Sequence, residues 1–285
     1  MKNAEFRPKL NPASKPIKFR SKSEVAFLLK DCLKPQVTIA IGSLIQVALC
    51  AILPFRWAVV PPAAAILNSL ITTLIQARST KPNEYDEAII PGRATAQLPS
   101  SSGTFGSEPS ANSVVVFHLG IQANHPLGLA APGMKEISKY YTAMLKDLES
   151  HREEYGLLSY SNWRGDERSS NNTLLIIYHF RDLDGLHRFA HGDIHRKGWD
   201  YFNKTKPQHI GIFHETYSVP AREYENIYVN CHPVLMGRAT VKTTPVGKEE
   251  EDRWMNTLVS ADMPALKTQY ARMSRDEHGN LKEKK

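Results

Sequence analysis

TLLIIYHF at residues 173–180 and LHRFAHGDIHRKGWDYF at 186–202 are the two segments on which the fold turns. The first is an apolar, β-branched run of strand length and reads as a buried strand. In the second, His187, His191 and His195 recur every four residues and Trp199 follows, so a helical winding puts them on one face. A buried strand feeding that helix turns the imidazoles toward a cavity, a candidate reaction chamber. The alternative is one or two surface helices with solvated His, Arg and Asp side chains.

Working outward, SVVVFHLGI at 113–121 is a second β-branched run. A loop holding Pro126, Gly128, Pro132 and Gly133 leads into a helix from Met134, where Ile137, Tyr140, Tyr141, Met144, Leu145 and Leu148 form an apolar stripe that Gly156 ends. LLSYSNWR at 157–164 alternates as a half-buried strand, GDERSSNN is a turn, and HIGIFHETYSVP at 209–220 is the last clear strand. The order strand, helix, strand, strand, helix, strand predicts an α+β, ferredoxin-like split βαβ domain over 113–230. Its antiparallel sheet carries both helices on one face and leaves the other for a partner, commonly a second copy. Residues 224–229 are expected as a short fifth strand or an arm across a dimer.

Charge is unevenly placed. The 285-residue chain carries a formal +7, but nine basic residues against three acidic ones precede Pro35, so the remainder is nearly neutral. A basic arm (1–35) on a neutral body does not make a phosphate-tracking groove, and no nucleic-acid recognition motif is present. Residues 36–53 and 55–75 follow, with Arg56 as their only charge. An 18-residue helix reaches roughly 27 Å, just under the hydrocarbon thickness of about 30 Å. A hydrophobic hairpin (36–77) results, with Phe55, Arg56 and Trp57 as interface anchors; it is a membrane anchor, with a buried hairpin in a soluble core as the competing reading. The arm holds the N terminus in the cytosol by the positive-inside rule, and two crossings return the body there, at a membrane such as the endoplasmic reticulum. The apolar block starts too late and is too long for a cleaved signal peptide.

Cys32, Cys50 and Cys231 form no CxxC pair, which suits a reducing compartment; the sequons at Asn171 and Asn203 would matter only in a lumen. Residues 78–112, rich in Pro, Ser and Gly, read as a flexible linker, and 231–285 as a C-terminal extension, solvated from about 272.

FHLGIQANHPLGLAAPG at 117–133, GLLSYSNWRGDERSSNNTLLIIYHF at 156–180 and LHRFAHGDIHRKGWDYF at 186–202 resemble the fungal, membrane-anchored branch of the antibiotic-biosynthesis monooxygenase superfamily, whose members are dimeric αβ-barrel proteins. The resemblance spans roughly 113–230. It implies oxidation of a lipophilic secondary metabolite, terpenoid or polyketide, often without metal or flavin; other superfamily members bind haem. Asn, Trp and Arg or His side chains form the working set there, which nominates Asn162, Trp163 and Arg164. Strand alternation opposes Trp163 to the other two unless the strand ends or bulges.

The residues themselves place His191 and His195 as base or haem ligand, Asn162 and Arg164 as stabilisers of developing negative charge, and Trp163, Trp199, Tyr178 and His187 as substrate-binding walls. No metal is expected, because no carboxylate completes the histidine trio and Gly192 breaks it. His179 reads as a core histidine bonded to a backbone carbonyl, and His118 and His125 as incidental. The expected activity is a membrane-anchored, cofactor-free monooxygenase, with a haem enzyme or a noncatalytic membrane-tethered scaffold as alternatives.

Overall fold

In a computed structural model, residues 4–19, 35–83, 85–165, 173–244 and 252–282 are described. The turn at 166–172, Cys32, much of the basic arm and the Asn171 sequon's two asparagines lie outside them. The chain divides into two units: Lys22–Glu87 is inserted into a body made of Met1–Ser21 and Ala88–Lys285.

The insertion holds α1 (Pro35–Ile52), a one-turn α2 (Phe55–Ala58) and α3 (Val60–Arg78). Pro54 interrupts the first helix, and Pro61 with Pro62 sit in the first turn of α3, where a missing N–H costs nothing. Neither long helix buries a residue, and Ile39, Leu44, Ile52, Phe55 and Trp57 are all exposed. Both are long and apolar enough to cross a membrane by length and composition.

The body is built on β2 (Val114–Ala123), α4 (Met134–Ser150), β3 (Leu157–Gly165), β4 (Thr173–Phe180), α5 (Leu183–Ala190), α6 (Asp193–Thr205) and β5 (Ile210–Val219). Their four strands form one antiparallel sheet in the order β3-β4-β2-β5, the ferredoxin-like arrangement. The inner face carries Val115, Phe180, Tyr178 and Ile176 against Leu148 of α4 and Leu186 and Phe189 of α5, with Tyr141 and Met144 packed on this core. Gly198 of α6 lets α4 approach closely: a Cβ there would lie 2.2 Å from Met144 Cε. The expected second helix is two helices, since His191 closes α5 and Gly192 is extended (φ −66°, ψ 152°) before α6 starts.

Part of the outer face is covered by a second β layer. β1 (Ile90–Ala96) lies between β6 (Tyr228–Cys231) and β9 (Leu258–Ser260), beside the β7 (Thr240–Thr243) and β8 (Arg253–Asn256) hairpin. Ala96, Met236, Ala239 and Val241 of this layer pack on Val114 and Leu158 of the main sheet. Three expectations change here. Residues 78–112 are not a free linker from Ile90 onward: Ala94 and Ala96 are fully buried, and the Ala96 N–H donates to Asn226 Oδ1 at 2.6 Å. A segment unable to build its own core is ordered by neighbours that satisfy its backbone. The strand near 224–229 pairs with β1, not with the four-stranded sheet. Residues 272–274 are docked, not solvated: Arg272 is buried and its Nε donates to Glu225 at 2.6 Å, while Ser274 Oγ donates to the Pro109 carbonyl. The described part of the basic arm is also docked: Phe6 is 2% exposed, and Pro8 and Ala13 bridge Val259 and Trp254.

Candidate active site

Phe117 and Leu119 stand on the inner side of a central strand beneath helices, a position that normally buries a side chain completely. Both stay partly accessible, as do Tyr141 and Met144 above them, and we read this incompletely covered stretch between helices and sheet as the candidate hollow. Its wall is aromatic: Phe117 lies 6.0 Å from Tyr178 and 5.8 Å from His214, and Tyr160 lies 6.0 Å from Tyr178, between ring centroids.

The hydroxyls of this wall are linked. Burial pushes the Tyr178 phenol well above its usual range, reinforced by its contact and hydrogen bond with Tyr141. Tyr141 Oη in turn donates to Asn162 Oδ1 at 3.4 Å. Tyr160 is raised by burial first and by Glu149 second. The Tyr178 and Tyr160 phenols remain protonated donors at neutral pH.

His195 stands in the first turn of α6, near His214 of β5. Its ring packs edge-on to Phe189 at 5.4 Å, and burial lowers its basicity, against a hydrogen bond to the Ala190 backbone that raises it and unfavourable charges at His191 and His214. The imidazole is therefore neutral at neutral pH. With one ring nitrogen engaged by a backbone acceptor, the other is left as a proton acceptor.

Of the residues picked out from sequence, Asn162, Arg164 and Tyr178 lie on the inner face of the sheet, while His195 stands on α6 near His214, at the opposite edge from Asn162. Asn162 and Arg164 share the inner side of β3, paired with Ile176 and Leu174. Trp163 is not with them. The strand bulges between Leu157 and Ser159 and runs regularly at 162–164, so alternation turns Trp163 to the outer face, 43% exposed. His191 is an exposed helix end whose Nδ1 lies 2.8 Å from the His187 carbonyl, and His187 is exposed one turn earlier. Trp199 is half exposed and stacks on Phe202 instead of lining the hollow. The helix break at Gly192 is what separates His195 from the other two imidazoles. Sequence reasoning missed Phe117, Tyr141 and His214; Tyr141 looked like one more member of an apolar stripe.

His179 is buried on the outer side, and its Nδ1 lies 3.1 Å from Ser159 Oγ. Burial, with His118 nearby, lowers it to about 4. No group of three or more His, Cys, Asp or Glu able to hold a metal occurs among the described residues. A separate open depression of about 260 Å³, lined by Gln97, Ser100, Thr104, Glu108 and Asn112, contains none of these side chains.

Residues 114–236, which span the sheet and its helices, match the family described as Monooxygenase af470-like. The protein named Monooxygenase af470 from Aspergillus fumigatus is 45% identical over 272 residues, covering 95% of this chain and 98% of that protein. The chain belongs to this monooxygenase family. It is an enzyme of a fungal, antibiotic-biosynthesis-monooxygenase-like type with a ferredoxin-like fold. Among solved structures, the aldoxime dehydratase OxdRE in complex with butyraldoxime aligns with a TM-score of 0.39 and 17% identity over 51% of this chain, which spans 39% of that protein. SnoaB, a cofactor-independent oxygenase from Streptomyces nogalater, aligns with a TM-score of 0.26 and 11% identity over 38% of this chain and 92% of its own. Similarity this low says nothing about chemistry.

Proposed function

We propose that this family member oxidises a lipophilic secondary metabolite, terpenoid or polyketide, without metal or flavin, in the hollow between sheet and helices. The observation that carries the reading is a neutral, half-buried imidazole beside His214, whose ring packs on Phe117 of a partly accessible aromatic wall. His195 takes a proton from an activated carbon of the substrate, and conjugation through the substrate carries the resulting negative charge to its far end, where Asn162, Arg164 and the Tyr141 hydroxyl stabilise it. The carbanion then reduces dioxygen and combines with it. The peroxide collapses to a carbonyl and water, so one oxygen atom is inserted and the substrate supplies all the electrons. Helices α1 and α3 act as the membrane anchor, holding the body at the cytosolic side of an internal membrane such as the endoplasmic reticulum, where an apolar substrate is concentrated. The uncovered part of the sheet's outer face, with Trp163, Phe213 and Tyr217 exposed, is the surface for a second copy.

A haem enzyme is the second reading, favoured by one feature: a ligating histidine usually has its other nitrogen anchored, as the His195 ring is by Ala190. It ranks lower because Phe189 packs against that ring. Oxygen uptake by the purified full chain with lipophilic metabolites, together with its ultraviolet-visible spectrum before and after haem addition, tests both. Uptake by a colourless protein that His195→Ala abolishes is the expected result. A Soret band lost in His195→Ala would move the assignment to haem, and absence of turnover with either would favour a binding scaffold.

A further inference from the structure

The polar groups of the hollow stand at its two ends. Across the four strands, Asn162 of β3 pairs with Ile176 of β4, Ile176 with Leu119 of β2, and Leu119 with His214 of β5, so all four lie in one row on the inner face. Three strand spacings separate the two edge residues, roughly 14 Å. Between them the row is wholly apolar. The adjacent row, Tyr160, Tyr178 and Phe117, ending at Thr216, supplies the aromatic side wall.

Each end has hydrogen-bonding capacity left over. At β3, Asn162 is exposed and its carboxamide oxygen accepts from Tyr141, while its amide nitrogen makes no hydrogen bond to protein among the described residues. At β5, the exposed His214 imidazole touches the Phe117 ring and stands close enough to His195 for its charge to oppose protonation there. The inner side of β5 stays open from His214 to Ser218, so the row is accessible from that edge.

We infer that the substrate is two-ended: a flat apolar body with an oxygen function at each end, lying across the strands between Asn162–Tyr141 and His214–His195. The inference rests on the hollow being the substrate site. Simple hydrocarbons and singly oxygenated lipids would bind less tightly, because either forgoes one of the two hydrogen bonds and leaves that end of the row to water.

The test uses the full chain in lipid nanodiscs, with empty nanodiscs as the blank. The probe is the fluorescent rigid rod p-terphenyl-4,4″-diol, whose oxygens stand about as far apart as the two ends of the row, against 4-hydroxy-p-terphenyl. The expected result is about tenfold tighter binding of the diol, the worth of one net hydrogen bond. Asn162→Ala or His214→Ala should each reduce the diol to the mono-ol's affinity, with His278→Ala, an exposed side chain far along the chain, as an unaffected control. Both target residues are exposed, so thermal unfolding should show the variants folded. Equal binding of diol and mono-ol, indifferent to both substitutions, would overturn the two-ended substrate while leaving the hollow as a site. No binding of either probe above the blank would remove the hollow itself as the site, and the inference with it.

Discussion

The two faces of the four-stranded sheet use the same residue types in opposite ways. On the outer face polar groups satisfy one another: the Tyr217 hydroxyl donates to Glu215 at 2.6 Å, His118 stands 3.8 Å from the same carboxylate, and His179 is held by Ser159. Phe213 lies across Gly120, filling the place where a side chain would be; a Cβ there would meet its ring at 1.9 Å. On the inner face aromatic rings under the helices stay partly accessible, and the amide and imidazole at the row's ends keep free capacity. Because side chains alternate along each strand, one set of strands builds a self-satisfied surface on one side and a receptive one on the other.

The strongest way to break this contrast is His195→Ala. Turnover should fall by about 10²–10⁴-fold with the melting temperature kept, whereas loss of His118 on the outer face should leave kcat unchanged. A fold lost along with the activity would make His195 a packing residue. Next comes the closed end of the inner core, where Phe180 is completely buried. Phe180→Ala should cost about 3–5 kcal/mol in denaturant unfolding, well above Phe213→Ala on the open outer face. Equal costs would mean that the outer face is as tightly packed as the core.

A pH effect separates the faces further. His179 is neutral in the folded protein down to about 4, against 6.5 unfolded. Between those values the unfolded chain binds the extra proton, so stability rises with pH through that window and is lost as pH falls through it, by roughly 3 kcal/mol in total. His179→Asn should flatten that slope in urea titrations; an unchanged slope would assign the loss to other groups. The smallest effect is expected at His191, an exposed helix end: His191→Ala should shift stability by about 0.3–1 kcal/mol and leave activity intact.

Much of this body is legible in the sequence. The β-branched runs at 114–123 and 173–180 have the length and composition of buried strands, and alternation alone separates Trp163 from Asn162 and Arg164. The second β layer is not legible. Its strands are three to seven residues long, and IPGRATA buries itself through alanine and threonine, which carry no periodic apolar signal. Its order comes from partners far along the chain, such as Asn226 for Ala96 and Thr257 for Gln97. His214 was hidden for a related reason. Within HIGIFHETYSV, Phe213 and His214 are equivalent until the helices choose a side, and that choice is made by α4 and α5.

The threading of residues 4–19 into the second β layer constrains the insertion between them and residue 88. The Ser260 N–H donates to the Arg7 carbonyl and the Lys9 N–H to the Leu258 carbonyl, so both flanks of the two apolar helices are stitched into one folded body. That stitching is a parity condition. A bilayer that takes up these helices must release the chain on the side where it entered, since an odd number of passages would tear Pro8 from Val259. Moving a single helix by mutation cannot invert the arrangement; only unfolding the layer that joins its ends can.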